Sequence, residues 1–462
     1  MVMGSMIGAG VFTLPQRFGI AGGVLGGLTA WVVAGVGFLF LALVFQELAI
    51  RKPKLDAGIF AYAKAGFGDY VGFNSAFGYW ASAAAGNAFY WVFIFTTVGR
   101  AFPAFGKGNT ILAVAVSSIC VWLFAWLVAQ GVRQAATINR VLTVVKIVPI
   151  LIFIVVVGIA AIGVYSGQFR LNLWGYEQPS VATLFGQAKA TMLAITFTFL
   201  GIEGAVVYSR YAKRREDVGR ATVLGFLGVL AIFALVTMVS YGVVPRQHLA
   251  SIGQPSVATV FEFVVGRWGS VFMSLGLILS VLGAYLAWTL MAAEILFIPA
   301  TDKDMPAFLR RENSAGTPIA ALILTSALVQ IYLIVTLLSE DALNFMLDLT
   351  AALSLIPYLL AAGYALKLAV SREGYEQGRS VIGPLVLAGL ATIFTLFLLY
   401  AAGVKFILFA SIIAAIGTVL YVWARRENKQ RMFTPFELVL CVLIWIGAIV
   451  GVVSLSTGAI TI

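Results

Sequence analysis

The sequence predicts an all-α, polytopic membrane protein whose first and sixth spans are interrupted. Of its 462 residues, 61% are hydrophobic and 11% are charged, and a soluble domain of this composition would expose its core to water. Thirteen apolar windows have the roughly 20 residues that cross ~30 Å of hydrocarbon. Small residues break two of these windows, at Gly8-Ala9-Gly10 and at Gly201-Ile202-Glu203-Gly204.

The positions of the predicted spans define a topology. In order they are 1–18, 24–48, 70–99, 110–131, 140–165, 187–209, 221–244, 268–298, 317–338, 343–369, 380–402, 404–424 and 435–460. The loops after even-numbered spans, with their flanks, hold 22 of the 30 Lys and Arg residues. Because short basic loops stay on the cytoplasmic side, we expect the N-terminus inside. Thirteen spans then put the C-terminus on the periplasmic or extracellular side.

The spacing of the two interruptions predicts inverted repeats. Five spans separate them, and an odd number inverts the second unit relative to the first, as in secondary transporters with a site at the bilayer midplane. We expect a first repeat over 1–165, a second over 187–369, and accessory spans 11–13 over 380–462. Only about 10 Å of helix precedes the first break, so the natural chain is expected to begin about 15 to 25 residues upstream of a truncated first half-helix.

Composition argues against several other classes of protein. The sequence contains no GxxxxGK[ST] loop of the kind that ATP-driven pumps use. Its one histidine, His248, argues against a multi-histidine metal site, and Cys120 and Cys441 lie inside spans, where no disulfide is needed. The net charge of +11 is spread over six loops without a basic stripe, which favours contact with anionic lipid over nucleic acid. We expect no enzymatic activity, cofactor, metal or nucleic-acid partner.

The first break predicts a ligand-binding site. Each glycine costs a helix about 1 kcal/mol, and free backbone groups inside a bilayer are tolerated where they line a cavity or meet a ligand. The amides of Gly8, Ala9 and Gly10 are expected to bind an anionic ligand group, such as a carboxylate, at the positive end of a half-helix. The alternative is a close helix-packing motif formed by Gly4 and Gly8.

Further motifs carry a family resemblance. They are the opening segment from Gly4 to Pro15, Lys54 to Ala63 after span 2, Gly78-Tyr79-Trp80 through Gly86-Asn87 in span 3, Phe197 to Gly204 in span 6, and Ile356-Pro357-Tyr358 in span 10. Over the whole chain the sequence resembles the basic amino acid/polyamine antiporters of the amino acid-polyamine-organocation superfamily, and most of all bacterial arginine/ornithine antiporters. The resemblance implies a LeuT-type fold, a location in the bacterial inner membrane, and exchange of cationic amino acids. It also allows a homodimer.

The resemblance also implies substrate contacts. Carbonyls around Ile7 and around 197–201, including Gly201, are expected to hold the substrate ammonium. Trp288 matches a position that stacks on a guanidinium, and Phe197 matches an aromatic lid, although ordinary helix packing explains either residue as well. Asn87 is expected to bond the substrate or a neighbouring helix.

Among the acidic residues inside predicted spans, Glu203 and Asp348 are assigned functional roles, because a carboxylate in the bilayer is costly and needs a partner or a role. Glu203 is expected to couple substrate occupancy to the two half-helices. The alternative is a structural acid bonded to the backbone of the first break. Asp348 is expected either to pair with the distal charge of the substrate or to belong to an acidic outer vestibule.

These features predict alternating-access exchange of a cationic amino acid, most simply arginine against ornithine, with no ion gradient required. Exchange of lysine for cadaverine or of arginine for agmatine, and a proton-coupled permease, remain alternatives of the same class. An amino acid sensor with a transporter-like fold is an alternative of a different class.

Overall fold

The computed structural model describes residues 6–52, 55, 58–175, 177–203, 215–375 and 380–462, with only the backbone described at 132–145 and 215–221. Gly4, Lys54 and Gly204, which belong to the motifs above, lie outside the described residues. All regular secondary structure in the described ranges is helical. The helices are α1 (Leu14–Ala21), α2 (Val24–Arg51), α3 (Ile59–Phe67), α4 (Asp69–Gly99), α5 (Ile111–Ala129), α6 (Val132–Gly163), α7 (Gln168–Leu171), α8 (Val181–Phe199), α9 (Arg215–Val243), α10 (Arg246–Ser251), α11 (Ser256–Val265), α12 (Arg267–Thr301), α13 (Ile319–Val335), α14 (Ala342–Ser371), α15 (Ile382–Glu427) and α16 (Pro435–Ser456).

Within the described residues, ten helices are long and apolar enough to cross a membrane. They are α2, α4, α5, the 146–163 part of α6, the 222–243 part of α9, α12, α13 with the turn that follows it, α14, α15 and α16. The first and sixth predicted spans correspond to α1, with the 3-10 turn Gly10–Thr13 before it, and to α8. In α15, Gly403 has non-helical angles (φ 79°, ψ 168°), so this 46-residue range holds the eleventh and twelfth predicted spans back to back.

Local sequence explains where several of these helices begin. Ser180 accepts a hydrogen bond from the Thr183 amide at 3.0 Å and caps α8. At the start of α16, Thr434 and Glu437 form a reciprocal capping box with Pro435 between them. Such side chains replace the partners that the first amides of a helix lack.

Helices α4 and α14 form the centre of the bundle. The most apolar 18-residue window is 94% buried in α4 and 78% buried in α14, against 28% in α15 and 17% in α16. The outward sides of α15 and α16 are therefore the surfaces suited to lipid, and α4 packs against both α14 and α12 in the core.

The turn between α1 and α2 is locked against α8. The Gly23 amide donates to Gln187 Oε1 at 3.1 Å. A Cβ at Gly22 or Gly26 would lie 2.2 Å or 2.1 Å from atoms of the Gln187 side chain, so larger residues do not fit there. On the other side, Arg246 donates to the carbonyl of Gly19 at 2.9 Å. Helix α1 is thereby fixed to its neighbours at the end that lies away from the first break.

Candidate functional site

The first break lies next to the end of α8. Residues 7–9 are not helical, and the 3-10 turn begins at Gly10. A Cβ at Gly10 would lie 2.7 Å from Thr198 Cγ2 and 2.9 Å from Phe197 Cδ1, so this position requires glycine. Because the first amides of a helix have no intrahelical acceptor, the amides where this turn begins are suited to a ligand.

The second break follows Phe199, the last residue of α8. Gly201 has φ 102°, a conformation that glycine adopts without steric cost. Its amide donates to both carboxylate oxygens of Glu203, at 3.1 and 3.2 Å. The carboxylate therefore closes a tight loop at the point where the helix stops.

Glu203 also connects this break to the two central helices. The Tyr79 hydroxyl of α4 donates to Oε1, and the Tyr358 hydroxyl of α14 donates to Oε2 at 2.5 Å. Glu203 is only 2% exposed, so these charge-assisted bonds replace its lost hydration. The main-chain donor that the structure gives to Glu203 belongs to the second break and not to the first.

A small cavity lies between the two breaks and the central helices, and its empty space of about 370 Å³ includes the solvent at its mouth. Five of the residues selected from the sequence line it, namely Gly8, Ala9, Gly10, Phe197 and Trp288. The other lining residues are Met6, Ala83, Gly86, Tyr90, Thr198, Leu200 and Thr350. None of the described residues on this wall is acidic.

The wall combines main-chain groups with aromatic rings and hydroxyls. The Tyr90 hydroxyl lies 3.6 Å from the Cβ position of Gly8, beside the first break. The Thr350 hydroxyl donates to the Met346 carbonyl at 2.7 Å, which leaves its oxygen lone pairs as acceptors. Phe197 packs edge-on against Phe89 with ring centroids 4.7 Å apart, and this contact fixes the ring at the cavity.

The other sequence-selected residues lie off this wall. Ile7 is fully buried in the core, and Gly201 and Glu203 lie in the turn after Leu200. Asn87 donates to Thr289 Oγ1 at 3.2 Å, while its buried Oδ1 has no hydrogen-bond partner among the described residues. Their roles in substrate binding stay predictions.

Asp348 forms an ion pair that the sequence did not predict. Its Oδ1 lies 2.5 Å from Arg17 Nη2, and each side chain is 16% exposed. The pair joins α1 to the start of α14, and we call this side of the molecule the Arg17 end. The available sequence signal was an arginine inside an apolar window, which requires a counter-charge.

The opposite end of α14 lies beside a network of ion pairs, and we call it the Lys64 end. Lys64 Nζ lies 2.6 Å from Asp304 and 3.6 Å from Asp69, which Arg425 also contacts at 3.0 Å. Burial raises the pKa of the Asp304 carboxyl above its usual 3.8, against the opposing effect of Lys64. This network ties the α3–α4 turn to the loop after α12 and to α15.

The curated relatives of this chain are transport proteins. It is 43% identical to the arginine/ornithine antiporter of Pseudomonas aeruginosa, over 100% of this chain and 97% of the relative. It is 37% identical to the L-lysine transport protein of Corynebacterium glutamicum, over 100% and 95%. With the arginine/agmatine antiporter of Chlamydia pneumoniae the identity is 36%, over 100% and 96%.

A solved structure and a family profile complete the comparison. The crystal structure of MhsT in complex with L-phenylalanine matches with a TM-score of 0.58 and 17% identity, over 87% of this chain and 97% of that chain. MhsT is a LeuT-fold transporter, so the predicted fold class is confirmed. The amino acid permease profile matches residues 1–411. The chain therefore belongs to the amino acid permease family, and the resemblance to its arginine/ornithine antiporters is confirmed.

Proposed function

We propose that the chain exchanges cationic amino acids across a membrane by alternating access, with arginine and ornithine as the preferred pair. The observation that carries this proposal is the cavity at the two breaks, whose wall brings the small residues of the first break together with aromatic side chains. Relatives named as arginine/ornithine and arginine/agmatine antiporters and as a lysine transporter support the substrate class.

The substrate carboxylate would lie against the amides of Gly8, Ala9 and Gly10. Their small side chains let a ligand approach the backbone, and the positive end of a helix favours an anion there. The substrate ammonium would bind carbonyls released near Ile7 and near 197–201. This arrangement uses each broken span for one charge of the substrate backbone.

The cationic tail would meet aromatic faces instead of an acid. Trp288 and Phe197 line the cavity, and a guanidinium over such a ring gains about 0.5 to 2 kcal/mol. Thr350 and Tyr90 add oxygen acceptors on the same wall. A tail bound in this way is held weakly enough to leave on the other side, which exchange requires.

Glu203 would couple the cavity to the bundle. Its carboxylate joins the second break to α4 and α14 through Tyr79 and Tyr358. Movement at the second break would change these bonds, so loading of the neighbouring cavity and rearrangement of the bundle would share one set of contacts.

Asp348 would act at the Arg17 end, outside the cavity wall. Its pairing with Arg17 joins α1 to α14, and a passing guanidinium carries the same charge as Arg17. The cationic substrate would compete with Arg17 for this carboxylate as it passes through the vestibule.

The distribution of basic residues supports the proposed orientation, and the family resemblance supports the bacterial inner membrane as the location. Residues 1–165 and 187–369 would form the two inverted repeats, with 380–462 as accessory helices. The Lys64 end would face the cytoplasm and the Arg17 end the periplasm, in a bacterial inner membrane. The N-terminus would lie inside and the C-terminus outside, and a homodimer is the proposed assembly.

Uptake of labelled arginine into proteoliposomes tests the function. Uptake that requires trapped ornithine or arginine supports exchange, whereas uptake into empty vesicles under an imposed pH gradient would indicate proton coupling. No uptake in either case would favour a sensor. Arginine/ornithine exchange moves one charge each way, so an imposed membrane potential leaves its rate unchanged. With trapped agmatine, a dication, the potential would alter the rate.

A further inference from the structure

A second cavity lies at the Lys64 end of the molecule, where α3, α4 and α14 meet the connection between α15 and α16. It is wide open to solvent, and its empty space of about 1220 Å³ includes the solvent at its mouth. Charged side chains dominate its polar lining, and they are Lys64, Lys367, Arg425, Arg431, Asp69 and Glu437. The four cations outnumber the two acids, so the cavity carries a net positive charge.

The acids in and beside this cavity are occupied by particular partners. Asp69 lies 3.0 Å from Arg425, and Asp304, outside the lining, lies 2.6 Å from Lys64. Glu437 accepts amide hydrogen bonds, including one within the capping box of α16. Asp69 and Asp304 are therefore paired with Arg425 and Lys64, and Glu437 is held by backbone amides.

Lys367 and Arg431 are two lining cations that each donate a hydrogen bond to a carbonyl group. Lys367 Nζ donates to the Gly66 carbonyl at 2.7 Å, and Arg431 Nε donates to the Phe433 carbonyl at 3.0 Å. Among the residues that the structure describes, neither forms an ion pair, and both are exposed. Lys367 and the guanidinium of Arg431 each have further N–H donors, which suit a phosphate.

An apolar surface adjoins this charged cavity. Phe436 lines it and is 64% exposed, and Leu438, Val439 and Val442 of α16 are 52%, 60% and 51% exposed. Basic residues where a spanning helix meets water attract anionic lipids, whereas a free phosphate gains nothing from neighbouring apolar side chains. We propose that this cavity binds the phosphate head group of an anionic phospholipid whose acyl chains lie along α16.

Native mass spectrometry of the full chain in detergent tests the site. The protein would be titrated with phosphatidylglycerol, with phosphatidylcholine, and with inorganic phosphate alone. The test variant is the double substitution Lys367→Gln/Arg431→Gln. The matched control is Arg310→Gln/Arg311→Gln, which removes two exposed cations outside the cavity.

We expect the wild-type protein and the control to bind phosphatidylglycerol in preference to phosphatidylcholine. The test variant should bind it about thirtyfold more weakly, because each basic side chain near an anionic lipid contributes about fivefold. Equal affinity of the test and control variants would overturn the proposal. Binding of inorganic phosphate as tight as that of the lipid would overturn the lipid assignment. If the double variant does not purify as a folded protein, Arg431→Gln alone gives the same test with an expected loss of about fivefold.

Discussion

Substitution of Glu203 separates a role for its charge from a role for its shape. The carboxylate accepts from the hydroxyls of Tyr79 and Tyr358 and from the Gly201 amide. Glutamine keeps the size of the side chain but has one acceptor oxygen, and its NH2 group must meet one of these donors. Alanine removes every acceptor and leaves three buried donors without their partner.

The expected magnitudes follow from these hydrogen bonds. Bonds to a charged acceptor contribute about 1.5 to 3 kcal/mol each, against about 0.5 to 1.5 kcal/mol for neutral ones. Because glutamine removes one of the three bonds and weakens the other two, Glu203→Gln should destabilise the fold by about 2 kcal/mol. Glu203→Ala should cost about 5 kcal/mol, because an unsatisfied buried donor costs about 1 to 3 kcal/mol.

The assay combines thermal unfolding in detergent with arginine/ornithine exchange in proteoliposomes. A bias of about 2 kcal/mol shifts a two-state equilibrium roughly thirtyfold, so we expect Glu203→Gln to slow exchange by more than tenfold. Glu262→Gln is the matched control, since Glu262 forms a partly exposed pair with Arg100. Full exchange by Glu203→Gln together with abolished exchange in Glu203→Ala would refute a role for the charge.

Three further predictions concern the cavity and the Lys64 end. Trp288→Leu should raise the KM for arginine about 2- to 30-fold because cation–π stacking is removed, whereas Trp126→Leu, at a side chain 58% exposed, should leave it unchanged in the same uptake assay. Gly10→Ala should abolish exchange, because its Cβ would lie within 3.0 Å of the end of α8, and Gly389→Ala, with no atom within 4 Å of its Cβ, should preserve it. Burial raises the pKa of the Asp304 carboxyl above its usual 3.8. In the pH window from about 3.8 up to the raised pKa, the folded state therefore keeps a proton on this carboxyl that the unfolded state has lost. Thermal stability attributable to it should therefore fall as the pH rises through that window, and unfolding curves of Asp304→Asn should lack this dependence.

The sequence predicted the spans well because hydropathy is a local property. The two breaks were also visible, since glycine at 8, 10 and 201 marks them directly. What local pattern cannot encode is which side chains meet across the bundle. Arg17 and Asp348 are 331 positions apart, and their contact exists only because α1 packs near the start of α14.

The same limit applies to the partners of Glu203 and to part of the cavity wall. Tyr79 and Tyr358 belong to motifs noted in the sequence, yet their convergence on one carboxylate depends on how α4 and α14 cross. Tyr90 and Thr350 carried no sequence signal beyond a polar atom in an apolar span. The positions of the breaks were predictable, and the surroundings of the breaks were not.

The clamp between Gln187 and the glycines of the α1–α2 turn has a mechanical consequence. The turn and the first part of α8 pack at distances that exclude a single added carbon. We therefore expect α1, α2 and the first part of α8 to move as one rigid unit. The two breaks would then be the hinges of this unit, because few helical hydrogen bonds resist rotation there. A substitution that removes these contacts, such as Gln187→Ala, would make the unit flexible at the α1–α2 turn. Motion of α1 would then no longer be transmitted to α8.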